Sequence, residues 1–110
     1  MALGGDPDKQ KRIMKASRKQ EKRTADTYKG SRNAGSGSGW IRKNDVRSAT
    51  FLFENKLTHN EKTYSVKYTD LRDLQNRAIN EDRVPVLQFD LGGKRYVILN
   101  EDDFLEMINV

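Results

Sequence analysis

The rhythm of apolar and polar residues along this chain changes several times, and each change falls at a recognisable break. From Lys9 to about Tyr28 there is no Gly or Pro, and Lys, Arg, Gln and Ala predominate, which predicts a helix. Its apolar positions are sparse: Ile13, Met14, Ala16, Ala25 and Tyr28. So thin a stripe predicts a helix that lies on a surface or packs against a second subunit. Residues 1–8, with Gly4, Gly5 and Pro7, read as a flexible tail. That leaves 9–110 as a single domain.

Beyond the Gly- and Ser-rich run of 30–39, Val46 to Leu57 reads as two strands joined by a tight turn near Ser48 and Ala49. Phe51-Leu52-Phe53 is the run of a buried strand. Residues 58–62 are polar loop. Thr63 to Tyr68 alternates, with Tyr64, Val66 and Tyr68 set against Ser65 and Lys67, and predicts a third strand. Thr69 or Asp70 then caps a helix through about Asn80, with Leu71, Leu74, Ala78 and Ile79 as its core face. Pro85 to Asp90 and Arg95 to Leu99 read as a hairpin turning at Gly92-Gly93. A short helix starts at Asn100 or Asp102 and carries Phe104, Leu105, Met107 and Ile108. The predicted class is α/β: a mixed central β-sheet of about five strands flanked by helices.

Composition narrows the chemistry. At 110 residues, with 35% hydrophobic and 34% charged positions, the chain suits one small domain with a modest core. It has no cysteine, which excludes disulfides and thiolate metal sites, and a single histidine, His59, which excludes histidine-rich zinc chemistry. No apolar run approaches the ~20 residues of a membrane span, and the N-terminus lacks the apolar stretch of a signal peptide. The expectation is a soluble intracellular protein. Its net charge of +5 is unevenly spread: residues 1–47 carry 13 Lys/Arg against 5 Asp/Glu, and residues 48–110 carry 8 against 11. The basic half is a candidate nucleic-acid footprint, although a solvated, lysine-rich helix fits the charge equally well.

The sharpest signal is Asp45 followed nine residues later by Glu54-Asn55-Lys56. Side chains alternate along a strand, so Glu54 and Lys56 share one face and Asn55 takes the other. A hairpin returns Glu54 beside Asp45. Two carboxylates and an ammonium then converge, a set suited to Mg²⁺ and to phosphodiester chemistry. The competing reading has Asp45 capping a turn and Glu54–Lys56 as an exposed surface pair worth ~0–1 kcal/mol. Against that, the apolar run before Glu54 places it in a buried strand, where unpaired charge is costly. Arg32, Arg42, Lys43 and Arg47 flank this segment and are candidate phosphate contacts, or simply solubilising charge. Arg72 and Arg77 on the second helix are expected to face solvent or DNA. Trp40 is expected at the core edge, Tyr64 and Tyr68 in sheet packing, and His59 is given no role.

Taken in order, Glu21 on the first helix, the loop Gly35-Ser36-Gly37-Ser38, Asp45 and Glu54-Asn55-Lys56 resemble the PD-(D/E)xK nuclease superfamily, and more narrowly the archaeal and phage-type Holliday-junction resolvases. The resemblance covers roughly residues 17–99, and the residue before Asp45 is Asn44, where the superfamily often has proline. It implies a restriction-endonuclease-like core. It implies Mg²⁺, with Mn²⁺ able to substitute, held by Asp45, Glu54, the Asn55 backbone carbonyl and Glu21. Lys56 would be the catalytic lysine, Ser36 or Ser38 the loop serine, and Lys67 a supporting polar position on the third strand. The implied activity is structure-selective cleavage of branched DNA by a homodimer, in the cytoplasm, or the host cytoplasm for a viral source. Two alternatives stand beside it: a less selective DNA nuclease of the same superfamily, and a DNA-binding module that kept the fold without cutting.

Overall fold

A computed structural model describes residues 7–32, 45–58 and 60–109. Along the chain run helix α1 (Pro7–Tyr28), strands β1 (Ser31–Arg32), β2 (Asp45–Arg47) and β3 (Phe51–Lys56), helix α2 (Tyr68–Asn80), strands β4 (Val84–Leu91) and β5 (Lys94–Ile98), and helix α3 (Glu101–Met107). The strands form one mixed sheet in chain order, β1-β2-β3-β4-β5, and β1 contributes only two residues. The pairing of β3 with β4 is parallel, and every other pairing is antiparallel. A parallel pair needs a crossover, and α2 supplies it.

The α/β class and mixed sheet agree with the sequence reading; several local assignments do not. Thr63–Lys67 forms no strand. The alternation there serves a different end: Tyr64 stacks on Phe89 at 4.4 Å between ring centroids, while Val66 and Tyr68 stay exposed, Tyr68 at 73%. Lys67 accordingly sits on no strand but is the residue that precedes α2. The fifth strand is instead Ser31–Arg32, inside the expected loop. Neither Thr69 nor Asp70 caps α2; it starts after an extended Lys67 with no side-chain cap bond. Helix α1 begins at Pro7, two residues inside the expected tail, in keeping with the preference for proline in a first turn.

Both long helices stop by the same device. Lys29 and Asp82 take left-handed conformations at φ 55°, and the next amide bonds back five residues, Gly30 N–H to the Ala25 carbonyl and Arg83 N–H to the Ala78 carbonyl. Asn100 does cap α3, accepting from the Asp102 amide. Gly92 and Gly93, at φ 58° and 78°, make the two-residue turn between β4 and β5, a conformation that suits glycine at both positions.

The sheet separates two small cores. On one face Ala25 of α1 packs with Val46, Phe53 and Val86, joined by Phe51 and Leu99. On the other, Leu74 and Ala78 of α2 pack with Leu52 and Leu87, joined by Tyr64, Leu71 and Ile98. Ile79, expected in the core, is 63% exposed. Helix α1 reaches the sheet mainly through polar residues, burying Gln20, Glu21 and Thr24 beside Ala25, which explains the thin apolar stripe. No described residue of α3 is buried.

Gly30 is where α1 turns against β2. A Cβ there would stand 2.6 Å from the Arg47 carbonyl oxygen and 3.0 Å from a Val46 methyl, and backbone on that side cannot give way cheaply. Gly30→Ala is expected to destabilise the protein by about 1–3 kcal/mol, read as a lower urea midpoint with unchanged slope. An unchanged midpoint would show that the α1–β1 connection moves aside.

Candidate functional site

Strand β2 returns along β3 in a register that sets Asp45 directly opposite Glu54, Val46 opposite Phe53 and Arg47 opposite Leu52. The turn between them closes with the Ser48 amide donating to the Phe51 carbonyl and the Phe51 amide donating to Ser48 Oγ, both at 2.9 Å. Asp45 and Glu54 are completely buried. Glu54 is therefore not half of an exposed pair, and the surface reading of this motif is excluded.

Two like charges at that depth need a counter-charge, and α2 brings one. Arg77 donates from Nη2 to Glu54 Oε1 at 2.7 Å and from Nη1 to Asp45 Oδ2. The expectation that Arg77 faces solvent or DNA is thus corrected: its guanidinium bridges the acids. Farther along β3, Lys56 Nζ lies 3.4 Å from Glu54 Oε2 and 3.6 Å from Asp70 Oδ2 of α2. A chain of alternating charge results, Asp45, Arg77, Glu54, Lys56, Asp70, on the α2 face of the sheet. Tyr64 borders it. Burial pushes its phenol above the ordinary range, and the nearby carboxylates of Asp70 and Glu54 push the same way.

Asn55 points to the opposite face, as strand alternation requires. There the Thr24 hydroxyl lies 3.0 Å from the Gln20 carbonyl and 2.7 Å from the Asn55 side-chain amide, with the Gln88 amide also against it. A hydroxyl has one proton to give, so it donates one of these contacts and accepts from an amide N–H. Gln20 Nε2 donates to the Lys56 carbonyl at 3.0 Å. Helix α1 thus grips β3 at Asn55 and Lys56, behind the charged face.

Other expected site residues fall elsewhere. Glu21 is buried on α1. Among the described residues no three Asp, Glu, His or Cys side chains gather closely enough to hold a metal ion, so Glu21 does not complete a cluster with Asp45 and Glu54. Arg47 does not stand free for phosphate: its Nε and Nη2 form a fork on Glu81 at 2.5 and 2.7 Å. Lys67 lies at the start of α2 rather than on a strand of the site. Arg32 belongs to β1. Ser36, Ser38, Trp40, Arg42, Lys43 and His59 lie outside the described residues.

The donor chemistry fits a hard divalent cation only in part. Two facing carboxylates are oxygen ligands of the right kind, but Arg77 occupies the bridge between them. Sequence reasoning missed Arg77 and Asp70 as partners of the acids. The signal was in the helix spacing: Asp70, Leu74, Arg77 and Ala78 share one side of α2 at intervals of three and four, and Glu81 follows at its C-cap.

Comparison with family models, with curated proteins and with solved structures finds no match to this chain. Among the described residues no helix is long and apolar enough to cross a membrane.

The Arg47 fork holds the Glu81 carboxyl below its ordinary value of 4.5. A depressed carboxyl stabilises the fold above its unfolded-state value and loses that contribution as pH falls through the folded one. Glu81→Gln is expected to cost about 1–2 kcal/mol at pH 7, with the gap to wild type closing below about pH 4.5. Denaturation curves at pH 7 and pH 3 measure it; a gap independent of pH would remove the ion pair as the cause.

Proposed function

We propose that this protein is a metal-dependent DNA endonuclease with a restriction-endonuclease-like core, of the PD-(D/E)xK type and selective for branched DNA: a Holliday-junction resolvase. The observation that carries the proposal is the register of Asp45 against Glu54, with Lys56 on the same face. A charge pair kept only for solubility does not require two fully buried acids on neighbouring strands.

Asp45, Glu54 and the backbone carbonyl of Asn55 would hold Mg²⁺, or Mn²⁺ in its place. When bound, such a cation supplies an activated water and charge for the phosphoryl oxygens. The chain's own groups do the rest. Lys56, aimed by Glu54 and Asp70, holds positive charge where the attacking oxygen and the transition state carry negative charge. The contacts of Gln20 and Thr24 keep β3 from sliding, which fixes the direction of Glu54 and Lys56. Glu21 acts in this reading through water rather than as a direct ligand. Lys9, Lys11, Arg12, Lys15, Arg18, Lys19 and Lys22 are all exposed on α1 and suit the phosphates of a DNA arm, which makes binding salt-sensitive. Paired nicks across a junction need two sites, hence a homodimer. The half-exposed Val97, Phe104, Met107 and Ile108 are the surface offered for it.

One observation favours a second reading, a DNA-binding module that does not cut. Arg77 already bridges both acids, and an ion triad of this kind can serve structure alone.

A synthetic four-way junction and a matched linear duplex, each with Mg²⁺ and with EDTA, separate the readings. Symmetric paired nicks in the junction, dependent on Mg²⁺, are expected. Asp45→Asn and Glu54→Gln should abolish cutting and leave junction binding intact or tighter, and Lys56→Ala should slow it roughly 10²–10³-fold. Binding without cutting in Mg²⁺ leaves the module, and equal cutting of both substrates leaves an unselective nuclease. Cleavage at wild-type rates in the acid variants would remove the site assignment altogether.

A further inference from the structure

The partly buried arginines among the described residues are not built alike: Arg83 places Nη1 on Glu81 and Nε on the Ser48 carbonyl. Arg47 places Nε and Nη2 on the two oxygens of one carboxylate, Glu81. Arg23 likewise places Nη1 and Nη2 on the two oxygens of Asp90, at 3.2 and 2.9 Å. Both are forks, the geometry in which a guanidinium binds a single carboxylate best. Arg77 instead spends one nitrogen on Asp45 and one on Glu54. It forgoes the fork to span two acids on neighbouring strands, the position a bridging dication would take.

The local charge points the same way. Among the described residues, Asp45, Glu54 and Asp70 face Arg77 and Lys56 here, three negative charges against two positive. A dication added with Arg77 in place would make the cluster net positive and crowd two cations into one gap. A dication in exchange for Arg77 makes it neutral. Arg77 can leave: its side chain is 23% exposed, against 1% for each acid, and it hangs from the last turn of α2.

We propose that Arg77 is a resident counter-ion that holds Asp45 and Glu54 together in the metal-free protein and that a divalent cation must displace. The inference rests on the metal-binding reading of the two acids. Arg77 therefore sets how much free cation the site needs, and it is a positioning residue rather than a catalytic one.

The test uses the full chain and Mg²⁺ alone, without DNA. Calorimetric titration of wild type, Arg77→Gln, Arg77→Lys and Asp45→Asn is read beside circular dichroism, which checks folding. Wild type should bind Mg²⁺, Asp45→Asn should not, and Arg77→Gln should bind about tenfold more tightly or better, since charged hydrogen bonds of ~1.5–3 kcal/mol no longer compete. Arg77→Lys, which keeps the charge but cannot span both acids well, should fall between. Wild type alone gives a measurement that does not depend on a variant folding. Its Arg77 guanidinium resonances should shift on Mg²⁺ saturation, while those of Arg47 and Arg23 should stay. Mg²⁺ binding that is lost in Asp45→Asn, with Arg77→Gln no tighter and the Arg77 resonances unmoved, would overturn the displacement and leave the metal site standing. No Mg²⁺ binding by any folded form would overturn both.

Discussion

Two carboxylates buried face to face on adjacent strands are the constraint to which the rest of this fold answers. Each carries a desolvation cost of several kcal/mol when charged, and each repels the other across the hairpin. A protein of this size has about 5–15 kcal/mol of stability in total. A cation between Asp45 and Glu54 offsets both costs and so stabilises the pairing of β2 with β3. Arg77 meets that need from the far side of the βαβ crossover, so the ion triad also pins α2 to the hairpin. The local structure of the site and the tertiary placement of α2 are one problem with one solution.

The opposite face of the sheet is organised around the same strand. Polar side chains of α1 meet polar side chains of β3 and β4, where a helix on a sheet ordinarily offers aliphatic ones. Thr24, Gln20, Asn55 and Gln88 exchange hydrogen bonds at buried positions. Hydrogen bonds are directional, so such an interface fixes register more tightly than apolar contact of equal area. Its cost is thin apolar cores on both faces. Order at Asn55 and Lys56 is gained with little hydrophobic stabilisation to spare, a bias that suits a strand whose side chains must stay aimed.

Much of this was legible in the sequence, in particular places and for particular reasons. Strand alternation placed Asn55 opposite Glu54 and Lys56, and the short connection through Ser48-Ala49 required Asp45 to meet Glu54. Both are local consequences of backbone geometry. The alternation of Thr63–Tyr68 misled because two aromatic side chains in an irregular segment have the period of a strand; Tyr64 finds its partner, Phe89, through stacking rather than a ladder. Arg77 was misleading for another reason. A charged residue on an amphipathic helix is read as solvent-facing by default, and only the buried acids on a distant strand reverse that reading. Glu21 shows the converse: the sequence placed it on the first helix, but its burial there depends on how that helix sits on the sheet.

The order of residues along β3 states the compromise in miniature. Leu52 is fully apolar and buried, Glu54 is charged and buried, and Lys56 is charged and partly exposed. Along these alternate positions the strand passes from core to solvent, with the most costly group in the middle. Moving the acid one step toward Leu52 would bury it among Leu74, Ala78 and Leu87, where no cation reaches. Moving it one step toward Lys56 would give it to water, where it would hold neither an arginine nor a dication with any strength. At position 54 the low dielectric strengthens every attraction the carboxylate makes, and Arg77 and Lys56 stand close enough to answer it. Strong binding of a counter-charge and a fold that tolerates the acid follow from the same depth of burial.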